Sequence, residues 1–573
     1  MAGFIQQAPQ LAENRYHADG LLRRYLQRAL PQEVLSEIEP DLERFGRRVS
    51  TDIAEMAADA IANEPSLVQF DAWGNRIDRL VVADGWKQLD RVSAEEGLVS
   101  IAYERKYGEY SRIYQMAKFY LFHPSSALYS CPLAMTDGAA RVMELLASES
   151  LRARALPRLT SRDPQTFWTS GQWMTERRGG SDVAQSETIA RRDGDGYRLY
   201  GDKWFTSAVS AQMALTLARV VDDNGATVEG SRGLSMFYLE IAAEDGGYNG
   251  LTIHRLKDKL GTRALPTAEL TLDGTRAQLV GDVGRGVKNI THLLNITRMG
   301  NAICSVAMWQ HGLALARDYA MRRQAFGRTL ASQPLHLETL AELAVELEGC
   351  FSLVGEAAAL MGRVECNVAS DEQTRLMRLL TPICKLYLGK RGVAALSEIV
   401  EGFGGAGYLE DTGIPALLRD GQVMSIWEGT TNVLSLDVLR AMDREQALPV
   451  LIAEVHRRLK PVTAAPLCGS RDQLSALTRQ LVEDFLPRAL AAGPDALIAG
   501  ARQLAFCIAQ LFGGVLLVEQ AQQAVSAEAA SDEVRRAIAV AARWCAKLPD
   551  RLMVLEEQHR DESRLLAGCT VSN

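Results

Sequence analysis

The stretch SIWEGTTN, Ser425–Asn432, sets one carboxylate, Glu428, between a bulky Trp427 and Gly429. A charge beside Ile426 and Trp427 is costly unless it has a partner or a task. Thr430, Thr431 and Asn432 are all N-cap residue types, and Val433, Leu436, Leu439 and Arg440 carry a helical pattern onward. Glu428 therefore stands just ahead of a helix N-terminus, where the dipole favours its anion, while its apolar flank opposes the charge. A carboxylate balanced between those influences suits a general base. A plain first-turn glutamate has the same spacing, so the residues alone leave both readings open.

Working outward, 573 residues make three or four domain-sized units, and 47% hydrophobic with 23% charged residues is the composition of a chain that folds around sizeable cores. The formal net charge of -8 gives no global reason to bind polyanions, although a local basic patch stays open. None of the nine cysteines forms a C-x-x-C pair, so buried reduced thiols are expected, with no metal site and a cytoplasmic location. The start, MAGFIQQAPQ, lacks the basic and apolar regions of a signal peptide, and no uninterrupted apolar run reads as a membrane span.

The chain begins helical. Val34, Leu35, Ile38, Leu42 and Phe45 recur on one helix face, FDAWGNRIDRL interrupts with a Gly74-Asn75 turn, and helices resume to about Ser161. From about Gly171 to Gly286 short apolar runs alternate with Gly, Thr and Asp turns; GYRLYGDKWFTS, MALTLARVV, LSMFYLEI and TAELTLDG read as strands of a compact β domain. Helices then return, with Leu337, Leu340, Ala344, Leu347, Phe351 and Val354 in one stripe and a second long run ending at Gly402. A helical tail completes the chain. The expected domains are 1–168, 169–286, 287–442 and 443–573. This segregation of strands from helices excludes a doubly wound sheet, and no G-x-G-x-x-G or G-K-[ST] phosphate loop is present.

Four more stretches carry candidate chemistry. MTERRGGSD, Met174–Asp182, has a hydroxyl at Thr175 and a Gly179-Gly180 turn that lets backbone approach a flat or anionic ligand, or simply turns at the surface. GDKWFTS, Gly201–Ser207, puts adjacent aromatics on opposite faces of a strand, one free to meet a ring-shaped ligand, unless both serve packing. MRRQAFGR, Met321–Arg328, ends a helix with Arg323 and Phe326 on one face, suited to a diphosphate and a heterocycle; a C-terminal arginine answering the helix dipole is the plainer account. EGFGGAGYLE, Glu401–Glu410, holds Gly404, Gly405 and Gly407, more glycines than one C-cap needs.

Together and in this order, MTERRGGSD, KWFTS, RRQAF, FGGAGY, LLRD and IWEGTTN resemble the acyl-CoA dehydrogenase family of flavoproteins over about 400 residues, from the N-terminal helices to near Met442. FDAWGNRIDRL, KLGTRA, the IWEG form and the long tail look closest to its AidB branch. The resemblance implies an α+β, mostly α fold: an N-terminal helical domain, a central β-barrel, a helical bundle and an extra C-terminal helical domain. It implies FAD, with Met174 and Thr175 at the flavin edge, Ser181 beside cofactor and substrate, Phe205 over one flavin face and Ser207 near N5. Arg323, Phe326 and Gln333 would reach the FAD of a neighbouring subunit, Glu401, Gly404 and Gly405 would line its diphosphate and adenosine, and Thr430 and Asn432 would touch it. Contacts of that kind require a homo-oligomer, a dimer or a dimer of dimers. Glu401 stands where relatives carry glutamine, and Phe205 where most carry tryptophan.

In that family Glu428 matches the catalytic base, taking the pro-R α-proton of an acyl-CoA while hydride leaves the β-carbon for flavin N5 and a 2,3-enoyl-CoA forms. Some relatives place the base on the helix carrying NITRMG; Thr297 occupies that position here and cannot serve, which leaves Glu428. Arg298, Trp427 and Gly429 would border the substrate with Ser181, and electron-transfer flavoprotein would be the external acceptor. Arg177 and Arg178 replace a usual Pro-Gly and read as solvated loop residues. Two alternatives stand beside this: an AidB-like nucleic-acid-associated flavoprotein with little turnover, and an acyl-CoA-binding regulator. The mixed charge of the tail, as in DEVRRAIAVAARW, is not a polyanion footprint and weighs against the first.

Overall fold

The computed structural model describes residues 8–568; the N-terminal residues 1–7 and the C-terminal residues 569–573, Cys569 among them, lie outside that range. The chain forms two compact units, one from Leu11 to Met308 and one made mainly of the chain from Trp309 onward.

In the first unit the expected stripe is real. The helix Gln32–Arg48 buries Leu35, Ile38, Leu42 and Phe45, with Val34 half-buried at the margin. FDAWGNRIDRL is more than a turn. It is a hairpin, β1 (Ser66–Phe70) with β2 (Arg76–Val81), whose loop is closed by the Asp71 carboxylate accepting the N–H groups of Trp73 and Asn75. The alternation was hidden because most of the side chains on these strands stay half or fully exposed.

A charged cluster ties the helices beneath. The buried Lys118 ammonium donates to Asp41 at 2.7 Å and to Glu96 at 2.8 Å, and Arg44 and Arg48 each reach Glu96 at 2.6 Å. Burial alone would raise both carboxyls, but the cations and hydrogen bonds outweigh it and hold Asp41 and Glu96 at about 2. Their unfolded values lie near 3.8 and 4.5, so this stabilisation is present above about pH 4.5 and is lost as pH falls toward 2. Glu96→Gln is expected to lower the thermal midpoint at pH 6, with its deficit against wild type vanishing near pH 2. Circular-dichroism melts across that range check it; a deficit that is constant with pH refutes the linkage.

The β domain is a closed barrel. Strands β4 (Ile189–Asp193), β5 (Gly196–Ser207), β6 (Met213–Val220), β7 (Leu234–Glu240) and β9 (Thr267–Val280) pair in the circuit β6-β4-β5-β9-β7 and back to β6. Two strands flank it: β3 (Ser170–Trp173) lies parallel on β6, and β8 (Leu251–Leu256) lies antiparallel on β9. The four expected strands are β5, β6, β7 and β9. Short or polar β3, β4 and β8 gave no periodic signal. Inside pack Trp173, Leu199, Phe237, Ile253 and Leu270. One expectation fails at Trp204-Phe205: the β5–β9 register slips between Lys203 and Thr206, so the pair sits in a bulge outside regular alternation. Both rings are half-buried, and the Trp204 ring carries the Lys257 ammonium 3.4 Å from its centre.

The second unit is helical: Pro334–Glu365, Asp371–Gly402, Thr431–Arg444, and then the tail helices Ala447–Leu459, Ala465–Arg479, Pro494–Ser526 and Ser531–Cys545. Leu340, Leu347, Phe351 and Val354 are buried as the stripe predicts, and Ala344 is partly buried. Leu337 is exposed instead, because the first turn of its helix, with Leu335, stands clear of the bundle. A Ser370–Gln373 capping box opens the helix that ends at Gly402. The tail is anchored by Trp544, whose ring fills a notch left by missing side chains: a Cβ on Gly349 would lie 2.3 Å from it and one on Gly513 2.8 Å. Pro494–Ser526 corrects the reading that no segment is apolar enough to cross a membrane. By length and composition it is, but 78% of its apolar window is buried inside this protein, as the core helix of the tail. Of the eight described cysteines, Cys304, Cys350, Cys384, Cys507 and Cys545 are buried, whereas Cys131, Cys366 and Cys468 are only partly so.

Candidate functional site

Glu428 sits in an unusual backbone. Its φ is +60° and that of Gly429 is +107°, two successive left-handed residues separated from the helix Thr431–Arg444 only by Thr430. Glycine takes such angles freely; a glutamate is held there at a cost of about 1–2 kcal/mol, which the surroundings must offset. Of the three candidate caps, Thr430 occupies the N-cap position, yet its side chain makes no capping hydrogen bond. The expected apolar flank is only half present: Ile426 is 59% exposed, whereas Trp427 and Glu428 are half-buried. The helix Asp371–Gly402 seats this segment. Lys385 Nζ donates to the Gly429 carbonyl at 2.5 Å, and Gly389, lacking a Cβ, lets the Met424 carbonyl come within 2.7 Å of where one would be.

The same unit holds the Arg323–Gln333 and Glu401–Gly407 residues. The helix Gly286–Arg322 stops before this stretch, which corrects the placement of Arg323 and Phe326 on one helical face. Instead β10 (Gln324–Ala325) and β11 (Arg328–Thr329) form a hairpin with Phe326 and Gly327 at its tip, both at positive φ. Phe326 is 98% exposed. The Gln333 amide braces that hairpin, donating to the Ala325 carbonyl at 2.9 Å and accepting from Arg328 Nε at 3.0 Å. The glycines divide by role. Gly407 is a packing glycine, since a Cβ would lie 2.0 Å from the Val400 carbonyl; at Gly404 (φ +58°) and Gly405 a Cβ would meet nothing within 4 Å. Glu401, Thr430 and Asn432 are exposed.

In the first unit, Met174 is buried and Thr175 half-buried at the end of β3, and the Trp204 N–H donates to the Thr175 carbonyl at 2.9 Å, fixing Thr175 to the bulge that carries Phe205. A Cβ on Gly180 would lie 2.6 Å from Thr175 Oγ1, so glycine there leaves the hydroxyl uncovered. Glu176 anchors the loop from below. Its carboxylate accepts from Lys203 Nζ at 2.7 Å, Thr188 Oγ1 at 2.6 Å and the Glu187 N–H at 2.6 Å. Arg177 and Arg178 are exposed, facing Asp202 and Glu187 as solvated loop arginines. Ser181 is exposed. Ser207 is buried, its hydroxyl 3.1 Å from Thr267 Oγ1 and its carbonyl accepting the Trp173 indole N–H. Thr297 is buried with its hydroxyl on the Leu293 carbonyl, and Arg298 beside it is half-buried.

Sequence reasoning missed two residues here. Lys203 and Lys385 are lysines buried to 1% exposure, one in a strand and one in a helix. The only available signal was a basic residue at a position where the pattern wants an apolar one.

Within the first unit, an uncovered Thr175 hydroxyl and an aromatic in the adjacent bulge fit a flat ring; within the second, the open backbone at Gly404-Gly405 leaves room for close approach of a ligand. Comparison with known proteins agrees. Residues 171–275 match the acyl-CoA dehydrogenase middle domain, 284–442 the acyl-CoA dehydrogenase C-terminal domain, 6–164 the AidB N-terminal domain and 446–565 the acyl-CoA dehydrogenase 11 C-terminal domain. The chain is 44% identical to acyl-CoA dehydrogenase family member 11 of Caenorhabditis elegans over 96% of its own length and 89% of that protein's. It is 31% identical to the AidB protein of Escherichia coli over 80% and 83%. The crystal structure of Caenorhabditis elegans ACDH-11 in complex with C11-CoA superposes with a TM-score of 0.94 at 42% identity, covering 100% of this chain and 98% of that one. The chain belongs to the acyl-CoA dehydrogenase family, and is an FAD-dependent oxidoreductase with the AidB-type N-terminal domain.

Proposed function

We propose that the protein oxidises an acyl-CoA to its 2,3-enoyl-CoA, with Glu428 as the base that removes the α-proton. The observation that carries this is the left-handed backbone of Glu428, a strained non-glycine residue ahead of a helix N-terminus. Strain of that kind clusters at active sites, and here it coincides with the one carboxylate of the SIWEGTTN segment. The similarity to a protein crystallised with C11-CoA supports the substrate class.

In this reading Met174, Thr175, Ser181, Phe205 and Ser207 hold the flavin ring, Glu401, Gly404 and Gly405 line the diphosphate and adenosine of the FAD of a neighbouring subunit, and Thr430 and Asn432 touch FAD. FAD, when bound, supplies the acceptor for the hydride from Cβ. Glu428 takes the Cα proton onto a carboxylate oxygen, and the electron pair left behind becomes the new Cα–Cβ double bond. The Glu428 N–H hydrogen-bonds the thioester oxygen, where charge develops as the proton leaves. Arg298, Ser181, Trp427 and Gly429 border the substrate. A second copy of the chain covers the exposed Phe326 tip, with Arg323 and Gln333 behind it, and electron-transfer flavoprotein reoxidises the enzyme.

Anaerobic titration of the purified protein with a panel of acyl-CoAs of graded length tests the proposal. Loss of the oxidised-flavin absorbance with formation of enoyl-CoA is expected. Tight acyl-CoA binding without bleaching by any member refutes dehydrogenation.

A further inference from the structure

We propose that Lys385 is a positioning residue for this reaction, clamping the peptide just after the base; the inference rests on the reading of Glu428 as that base. Lys385 lies on the helix Asp371–Gly402 and is 1% exposed. A buried ammonium is expensive and is kept where its hydrogen bonds do something an apolar side chain cannot. Its Nζ reaches across 44 residues of sequence to the Gly429 carbonyl, 2.5 Å away. That carbonyl belongs to the second of the two left-handed residues.

The segment needs such a clamp. Between Trp427 and the first turn of the helix Thr431–Arg444 the backbone is irregular, and Gly429 at φ +107° has access to many other conformations. Fixing the Gly429 carbonyl removes that freedom on the C-terminal side of Glu428. One helical turn beyond Lys385, Gly389 fixes the other side, because the Met424 carbonyl and Ser425 Cα lie 2.7 and 3.4 Å from where its Cβ would be. Residues at i and i+4 share a helix face. A single face of one helix thus grips the active-site segment at both ends, with the carboxylate between. The clamp works by geometry: a displacement of about 1 Å at a reacting group is enough for a 10²-fold loss of rate.

The test separates base function from binding. An acyl-CoA with α-hydrogens but no β-hydrogen reports α-proton removal alone, as solvent deuterium enters Cα under anaerobic conditions. Lys385→Met keeps the volume and loses the donor. It is expected to retain FAD and to bind acyl-CoA within about threefold, while Cα exchange and flavin reduction both fall by about 10²-fold. In a Glu428→Gln background the same substitution is expected to add no further loss, because it acts through that side chain. A purely architectural lysine would move the melting temperature and leave exchange intact. Folded, FAD-loaded Lys385→Met exchanging at the wild-type rate overturns the proposal. Should that variant not fold, Gly389→Ala displaces the Met424 carbonyl from the opposite end with Lys385 in place; it is expected to show the same split, and wild-type exchange there overturns the proposal equally. Failure of the base reading looks different: Glu428→Gln alone would then exchange normally.

Discussion

Glu428→Gln is expected to leave FAD and acyl-CoA bound and to slow flavin reduction by 10²–10⁴-fold, the usual range for deleting a general base. The amide is nearly isosteric, so the left-handed backbone, the Lys385 bond to the next residue and the half-buried position of the side chain all stay as they are. What disappears is the ability to accept a proton from carbon. No other described residue offers itself as a substitute base at the alternative family position, where the Thr297 hydroxyl is spent on the Leu293 carbonyl. The measurement is rapid mixing with acyl-CoA in the absence of oxygen, alongside equilibrium binding of the same ligand. Unchanged affinity with lost reduction assigns the role to chemistry. Near-normal bleaching by the variant removes Glu428 from the mechanism, and a parallel loss of binding would make it a contact residue instead.

Much of this was legible in the chain because it rests on local patterns with a physical cause. Helix stripes such as Leu35-Ile38-Leu42-Phe45 report burial at a period of 3.6, and the long strands β5, β6, β7 and β9 carry enough apolar residues to declare themselves. The SIWEGTTN segment was legible as a carboxylate before a helix, but its left-handed backbone was not, since glutamate gives no propensity signal for positive φ. The hairpin Gln324–Thr329 has no local signal for the same reason: a Phe-Gly pair at the tip is not a common turn signature. The bulge at Trp204-Phe205 depends on pairing with β9, some 60 residues away, and no local window contains it. Buried lysines are hardest of all. Lys203 and Lys385 read as surface residues until the acceptors that justify their burial, Glu176 and the Gly429 carbonyl, are brought to them by the fold.

That dependence makes Lys203→Met the most damaging substitution expected outside the base. Lys203 is fully buried in β5, and Glu176, at 5% side-chain exposure, has it as its charged partner. Burial alone would raise the Glu176 carboxyl, but the Lys203 charge and the hydrogen bonds from Lys203, Thr188 and the Glu187 N–H hold it below the ordinary value of 4.5. Removing one partner of a buried pair leaves the other uncompensated, at a typical loss of about 3–5 kcal/mol. The loss should also be felt at the cofactor, because Glu176 adjoins Thr175 and its carbonyl accepts the Gly179 N–H, holding the turn whose glycine leaves the Thr175 hydroxyl open. Lys203→Met is therefore expected to melt far below wild type and to purify with little FAD. Removing the stranded charge as well should repair much of the damage, so Lys203→Met/Glu176→Gln is expected to be more stable than the single variant. The pH dependence has a definite sign. In wild type the depressed Glu176 carboxyl stabilises the fold above about pH 4.5 and ceases to do so as pH falls through its folded value, whereas the single variant, with only the Thr188 and Glu187 hydrogen bonds left to hold the charge, has less to lose from protonation. Its deficit should narrow on acidification. Flavin content of the three proteins at pH 7 and thermal melts from pH 7 down to pH 3 measure this; a single variant within about 1 kcal/mol of wild type at pH 7, or a double variant no better than the single, would mean that the pair does not anchor the loop.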